Sequence, residues 1–149
     1  MASRKLRIGL IVTAVVALGI QLVPVERTNP PETAPLQAPP DVMRVLDRSC
    51  ADCHSNRTVW PWYSHVAPVS WLVASDVAEA REHVNLSTWG TLDPKRQDHH
   101  REEMWEEVED GEMPLWTYRL MHPAARLSDA DRAVLRRWAG EAEGDRDRD

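Results

Sequence analysis

Cys50-Ala51-Asp52-Cys53-His54 is the stretch on which the fold of this chain depends. Two thiols three positions apart can each add to a vinyl group of one porphyrin, and the adjacent imidazole can then bind the iron as a proximal ligand. The motif therefore predicts one covalently attached haem c, bound through Cys50 and Cys53, with His54 as an axial ligand.

The same cysteine spacing also occurs in dithiol redox sites and in halves of zinc sites, and it can arise by chance. A zinc site would need a second pair of cysteines, and the chain has only two cysteines in all. A thioredoxin-like site would lie in a βαβ pattern, which the flanking sequence lacks. The export signal at the N-terminus favours haem attachment over these alternatives.

The composition indicates one small domain. The chain has 149 residues, with 7 tryptophans, 11 prolines and no phenylalanine, and one core is expected. Its net charge of -6 argues against nucleic-acid binding and leaves basic protein partners open. Because both cysteines lie in one motif, no disulfide framework is expected, and stability must come from the core and the cofactor.

The N-terminus has the layout of an export signal, with basic residues at positions 4, 5 and 7 before an apolar run from Ile8 to Val23. No small-x-small cleavage site follows this run, so we favour an uncleaved membrane anchor over a removed signal and a soluble exported protein. At ~1.5 Å per residue, a helix from Ile8 to Val25 would be ~27 Å long, slightly less than a hydrocarbon core of ~30 Å. The positive-inside rule then puts the rest of the chain on the outer side of the membrane.

Four segments follow from these patterns. Residues 1–25 are expected to form the signal or anchor. The proline-rich residues 26–40 are expected to run extended, as a semi-rigid tether that holds the domain off the membrane. Residues 41–140 are expected to form the haem c-binding domain, and residues 141–149, rich in Asp, Arg and Gly, a disordered tail.

Apolar residues at helical spacing predict an all-α domain. Asp41 can cap a short helix that leads into Cys50. A second helix is expected to begin at Pro68 and to bury one apolar stripe. The residues of this stripe are Val69, Leu72, Val73, Val77, Ala80 and Val84.

Two more helices are expected in the C-terminal half of the domain. Asp93 and Pro94 form a cap and first-turn pair for a helix that ends at Gly111. The Ser128–Asp131 capping box begins a last helix, which Gly140 ends. We interpret the acidic residues of the third helix as a solvated face rather than a metal or acid/base cluster: Glu102, Glu103, Glu106, Glu107, Glu109 and Asp110.

Closely spaced prolines and aromatic residues follow the cysteine motif and exclude a long helix there. We expect this segment to wrap against the flat porphyrin, with Trp60, Trp62 and Tyr63 in contact with it. The same three side chains would also fill a small core, and since a haem belongs to such a core the two interpretations overlap.

The second axial ligand is assigned to Met113, which lies in a non-helical segment between Gly111 and Pro114. Gly111 stops the preceding helix and Pro114 fixes the following backbone, so a thioether could be held inward at low entropic cost. On spacing alone, core filling by Met113 is equally good. The competing ligands are His65 and His83, followed by His99, His100, His122, Met104 and Met121.

These motifs together resemble the bacterial haem-binding domain family, which is related to the cytochromes c. The stretches that carry the resemblance are Gln21 to Arg27, Asn29 to Pro31, Cys50 to Asn56, Trp60 to Ser64, Ala67 to Trp71, Asn85 to Ser87, Gly111 to Pro114, and His122-Pro123 with Leu127-Ser128. The resemblance implies a small cytochrome c-like helical domain on the periplasmic side of the bacterial inner membrane, with Met113 in a Met-Pro position. Ala80 and Leu86 depart from the family pattern, which usually has Gly and Phe there.

The expected function is electron transfer by a membrane-tethered cytochrome that is not an enzyme and that exchanges electrons with unidentified redox proteins. A haem-based sensor or peroxidase-like protein would instead need an open or displaceable sixth position. No histidine has a spacing that marks it as the distal acid/base group of a peroxidase. A haem subunit of a larger redox complex fits the sequence as well as a free carrier does.

Overall fold

The computed structural model describes residues 3–146, with side chains described as far as Gly140. Within this range the chain forms seven α-helices joined by loops and short 3₁₀ turns, and no strand, which confirms the all-α prediction. The helices are α1 (Arg4–Gly19), α2 (Pro40–Ser49), α3 (Ala51–His54), α4 (Val69–His83), α5 (Pro94–Glu109), α6 (Trp116–Met121) and α7 (Asp129–Arg146).

Helix α1 stands apart from the packed helices. With the 3₁₀ turn that follows it, α1 spans Arg4–Leu22 with a mean hydropathy of 1.8, and none of it is buried inside the protein. It is long and apolar enough to cross a membrane, and it is compatible with either an anchor or a signal peptide. Gln21, at its end, contacts the domain: its side-chain amide donates to the carbonyl of Ala67 (3.2 Å) and accepts from the Ala67 N–H (2.9 Å).

The main core lies where α2, α5 and α7 meet. Leu46 of α2 is fully buried there, together with Leu135 and Trp138 of α7. The ring of Trp89, from the loop between α4 and α5, lies 6.1 Å from that of Trp138. Burial of large apolar side chains of this kind contributes about 1.5–3 kcal/mol each, so this junction holds the helices around the cysteine motif.

Residues 26–40 are extended, as predicted, but they are not a free tether. Their backbone pairs with the loop after α4, because the N–H groups of Thr33 and Ala34 donate to Ser87 and that of Leu36 donates to Leu86. The side chain of Leu36 is buried in the main core. This segment therefore packs against the domain predicted for residues 41–140 and adds Leu36 to its core.

The start of α2 and the buried face of α4 also differ from the predictions. Helix α2 begins at Pro40, so Asp41 lies in its first turn and stabilises the positive end of the helix dipole without capping it. In α4, Val77 and Ala80 are buried as expected, but Val69 and Leu72 are exposed. Helical spacing correctly identified an apolar face, whereas protein covers only its C-terminal half.

The predicted caps of the last two long helices are confirmed. The Asp93 carboxylate accepts from the N–H of Arg96, and Ser128 and Asp131 form a reciprocal capping box at 2.9 and 3.2 Å. Helix α7 does not end at Gly140 but continues to Arg146, because an internal glycine costs a helix only about 1 kcal/mol. Of the tail predicted to be disordered, residues 141–146 belong to this helix, and residues 147–149 lie outside the described range.

Candidate functional site

A cavity of about 520 Å³ lies between the cysteine motif and helices α4, α5 and α7. This volume is within the range of about 300–1,000 Å³ that is usual for small-molecule and cofactor sites. Most of its wall is apolar: Leu46, Ala80, Val84, Met104, Trp105, Val108, Met113, Pro114, Leu115, Leu135 and Trp138. Five acidic side chains also line it, together with Arg101 and Tyr118: Asp76, Glu79, Glu103, Glu106 and Glu107.

The cysteine motif forms one side of this cavity. Cys50 lies between the end of α2 at Ser49 and the short helix α3, which carries Cys53 and His54, and all three side chains line the cavity. Burial, with repulsion from Cys53, raises the pKa of the Cys50 thiol to about 12, and burial with repulsion from Asp52 raises that of Cys53 to about 11. Dithiol redox sites depend on a lowered thiol pKa, so these surroundings argue against that alternative.

The imidazole of His54 is fixed in one orientation by the C-terminal end of α4. Its Nδ1 lies 3.1 Å from the carbonyl oxygen of Ala80 and 3.2 Å from that of Val84. Both partners are acceptors, so Nδ1 carries the proton and donates it, which leaves the lone pair on Nε2. Burial also lowers the pKa of His54, against the effect of these two hydrogen bonds. A neutral imidazole with one nitrogen donating to carbonyls and the other free is the form that binds a metal.

The Asn85-Leu86-Ser87 segment holds the backbone around His54. The N–H of Leu86 donates to the carbonyl of His54 (2.8 Å), and the hydroxyl of Ser87 accepts from the N–H of Asn56 (2.9 Å). The Asn85 amide donates to the Asn56 side chain (2.9 Å). Sequence reasoning gave this segment no role at the site, although it is among the stretches that carry the family resemblance.

Arg81 joins α4 to the loop that follows the motif and to the extended N-terminal segment. Its guanidinium donates to the carbonyl of Ser55 (2.8 Å) and the hydroxyl of Thr58 (2.8 Å). It also donates to the carbonyl of Thr28 (2.9 Å) and the side chain of Asn29 (2.9 Å). One side chain therefore connects three parts of the chain directly behind the cavity wall.

Asp52, the second residue between the two cysteines, is held by Tyr118 of α6. The Tyr118 hydroxyl donates to the Asp52 carboxylate at 2.6 Å, and the other carboxylate oxygen accepts from the N–H of Val59 at 3.2 Å. Burial and this hydrogen bond raise the pKa of Tyr118 above its usual value, so it stays a protonated donor. Helix α6 was not predicted from the sequence, and neither was this contact.

The aromatic residues predicted to contact the porphyrin do not reach the cavity. Its lining does not include Trp60, Trp62 or Tyr63, and the Trp62 side chain is 73% exposed. The tryptophans that line it are instead Trp105 of α5 and Trp138 of α7. Neither of them was predicted from the sequence as a haem contact.

Met113 lines the cavity, as the sequence analysis required of a second axial ligand. Gly111 adopts a left-handed conformation (φ 81°) just after α5, and the Met113 N–H then donates back to Glu107 at 3.0 Å. Of the competing ligands, the cavity lining includes His83, His100 and Met104 but not His65, His99, His122 or Met121. The imidazole of His100 is hydrogen-bonded to Glu103 at 2.9 Å.

Comparison with known proteins agrees with this geometry. The model of the haem-binding domain family matches residues 15–141, which is most of the chain, and the chain therefore belongs to this family. The protein is thus a haem-binding protein, built on a helical domain that includes part of the N-terminal apolar helix. Searches of curated proteins and of solved structures found no match.

The residues around the cavity suit a haem. His54 offers Nε2 while its other nitrogen is held by two carbonyls, and two thiols lie on the same wall. The remaining wall is mostly apolar, as a porphyrin face requires, and Met113 provides a thioether.

Proposed function

We propose that this chain is a membrane-anchored, periplasmic c-type cytochrome that transfers single electrons between redox proteins. When bound, haem supplies one-electron chemistry at its iron. Cys50 and Cys53 would hold it covalently, and His54 and Met113 would be the two axial ligands. With both axial positions occupied, no substrate needs access to the metal, and the chain acts as a carrier rather than an enzyme.

The single observation that supports this proposal most is the hydrogen bonding of His54. Its Nδ1 donates to the carbonyls of Ala80 and Val84, which fixes the ring and its tautomer. Such second partners orient a ligating imidazole and raise its basicity, which favours the oxidised iron. Core filling alone would not explain why the His54 imidazole lines the same cavity as the two thiols with its Nδ1, and not its Nε2, held by carbonyls.

The other residues of the site would keep water away and keep the ligands in place. Trp105 of α5 and Trp138 of α7 line the cavity and would cover the haem. An apolar cover of this kind raises the free energy of the more highly charged state of the iron. Gly111 allows the left-handed turn after α5 and Pro114 restricts the backbone after Met113, so the thioether would be positioned before the cofactor binds.

Covalent attachment is tested with the double variant Cys50→Ser/Cys53→Ser. The wild-type protein, expressed with a haem-attachment system, is expected to retain haem through acid-acetone extraction and denaturing electrophoresis. The double variant should lose it completely, whereas Ser49→Ala, which leaves both thiols in place, should keep it. Loss of haem from the wild type under these conditions would refute the c-type assignment.

Ligation by Met113 is tested through the optical spectrum and carbon monoxide binding. The oxidised wild type should show the weak band near the red edge that reports a bond between methionine and iron, and the reduced protein should resist carbon monoxide. Met113→Ala should lose the band, bind carbon monoxide readily and have a lower reduction potential. Met104→Ala is the matched control, since Met104 also lines the cavity. Rapid carbon monoxide binding by the wild type would instead support a sensor or peroxidase-like protein.

A free carrier and a subunit of a larger redox complex differ in what purifies with them. Gentle solubilisation of the membrane should give this chain alone if it is a carrier. A constant set of co-purifying redox proteins would assign it to a complex.

A further inference from the structure

An exposed apolar patch surrounds the N-terminal end of α4. It consists of Trp62, in the 3₁₀ turn Trp62–His65, together with Val66, Val69, Trp71 and Leu72, and we call it the Trp62–Leu72 patch. The exposed fractions of these side chains range from 37% for Trp71 to 73% for Trp62. Such a patch on a soluble surface usually marks a contact with a membrane or another protein.

Acidic residues, lysine and arginine are missing from the sequence of this patch, from Thr58 to Ser75, although they make up 28% of the chain. A stretch without these residues can enter the boundary of a bilayer at little cost of removing charged groups from water, and the guanidinium of Arg27, which contacts it, can stay at the headgroups. Tryptophan prefers this boundary because its ring is apolar and its N–H can remain hydrated.

Three hydrogen bonds place the patch at the level where α1 ends. Gln21 lies at the end of α1 and binds both the N–H and the carbonyl of Ala67, between Val66 and Val69. Arg27, shortly after α1, donates to the carbonyl of Ser64 at 3.1 Å. The basic residues at positions 4, 5 and 7 mark one side of the bilayer, and at 1.5 Å per residue the apolar residues 8–22 span about 22 Å of a hydrocarbon core of about 30 Å, so Gln21 approaches the opposite headgroups. Ala67 then lies at the same depth.

We propose that the Trp62–Leu72 patch rests in the headgroup region of the bilayer that α1 crosses, so that the domain lies on the membrane instead of being suspended above it. This inference rests on the proposed membrane span of α1 and is independent of haem. The contact is apolar, so it requires neither anionic lipids nor low salt.

The same contacts favour the bilayer over a second copy of the chain as the occupant. A membrane that surrounds α1 necessarily reaches the residues bonded to its end, whereas a second copy would have to displace lipid there. The segment after α1 is attached to the domain along its length, because Arg27 and Asn29 are hydrogen-bonded to the domain and Leu36 is buried in its core. The domain is therefore not free to move away from the end of α1.

The test uses the full-length protein in vesicles of zwitterionic phosphatidylcholine. The photo-reactive residue p-benzoylphenylalanine is introduced singly at Leu72, at Val69, at Val15 within α1, and at Ala78. Ala78 is the matched control, because it is also exposed on α4 but lies in its C-terminal half. After irradiation, covalent lipid adducts are measured by mass spectrometry.

Lipid adducts are expected at Leu72, Val69 and Val15, and the yield at Ala78 should be at least about tenfold lower, as expected of a side chain in water. The yields should not change in high salt. Adducts at Val15 alone would overturn this proposal and leave the membrane span intact. Crosslinks between two protein chains at Leu72 would overturn it in favour of a dimer. Absence of adducts at Val15 would refute the membrane span itself.

Discussion

The two halves of α4 carry similar apolar side chains in different surroundings. In the C-terminal half, Val77 and Ala80 are buried, and the carbonyl of Ala80 helps to orient His54. In the N-terminal half, Val69 and Leu72 are exposed beside the end of α1. Helical periodicity marks an apolar face in both halves, but it does not tell whether protein or lipid covers that face. With the membrane contact proposed above, one regular helix would serve both a cofactor site and a membrane surface.

A carboxylate placed in each half of α4 should give the largest difference between the two halves. Val77→Asp buries an unpaired carboxylate and should lower the free energy of unfolding by about 3–5 kcal/mol. Leu72→Asp, at a position that is 54% exposed, should change it by less than about 0.5 kcal/mol in detergent. Denaturant titration followed by circular dichroism measures both values. Similar losses in the two variants would mean that the N-terminal half is also packed against protein.

Removal of the Arg81 side chain should have the next largest effect. Arg81→Gln loses most of four hydrogen bonds behind the cavity, and we expect it to cost about 2 kcal/mol because the site is only partly buried. Arg44→Gln, on the exposed face of α2, is the control and should have little effect. The same denaturant titration applies, and equal stability of both variants would contradict the role assigned to Arg81.

The smallest expected effect concerns the link between α1 and α4. Gln21→Ala removes both hydrogen bonds to Ala67. The backbone N–H of Ala67 should then exchange with solvent about tenfold faster, which corresponds to a loss of about 1.4 kcal/mol of local protection. Exchange at Val77, in the other half of α4, should not change. Hydrogen exchange of the protein in vesicles measures both sites. Unchanged protection at Ala67 would show that the bilayer alone positions the patch.

The sequence predicted what depends on local chemistry. The helix before Cys50, the caps at Asp93 and Ser128, and the stop at Gly111 all follow from neighbouring residues, and the structure confirms them. Membership of the haem-binding family was also predicted from motifs.

The sequence failed where distant parts of the chain meet. The composition of residues 26–40 correctly excluded a helix. It does not indicate that Leu36 enters the core or that Ser87 accepts hydrogen bonds from Thr33 and Ala34. Trp62 and Trp138 are equally apolar as residues, yet one is exposed and the other lines the cavity. Only the three-dimensional arrangement distinguishes them.

The burial of Leu36 and Trp138 in one core also limits the order in which this protein can mature. Leu36 is synthesised well before α7, so a nascent chain cannot close the core until α7 has also been made. Cys50 and Cys53 line the cavity that Leu135 and Trp138 of α7 also line. The covalent attachment proposed above would therefore be easiest in the period before α7 packs beside these two thiols.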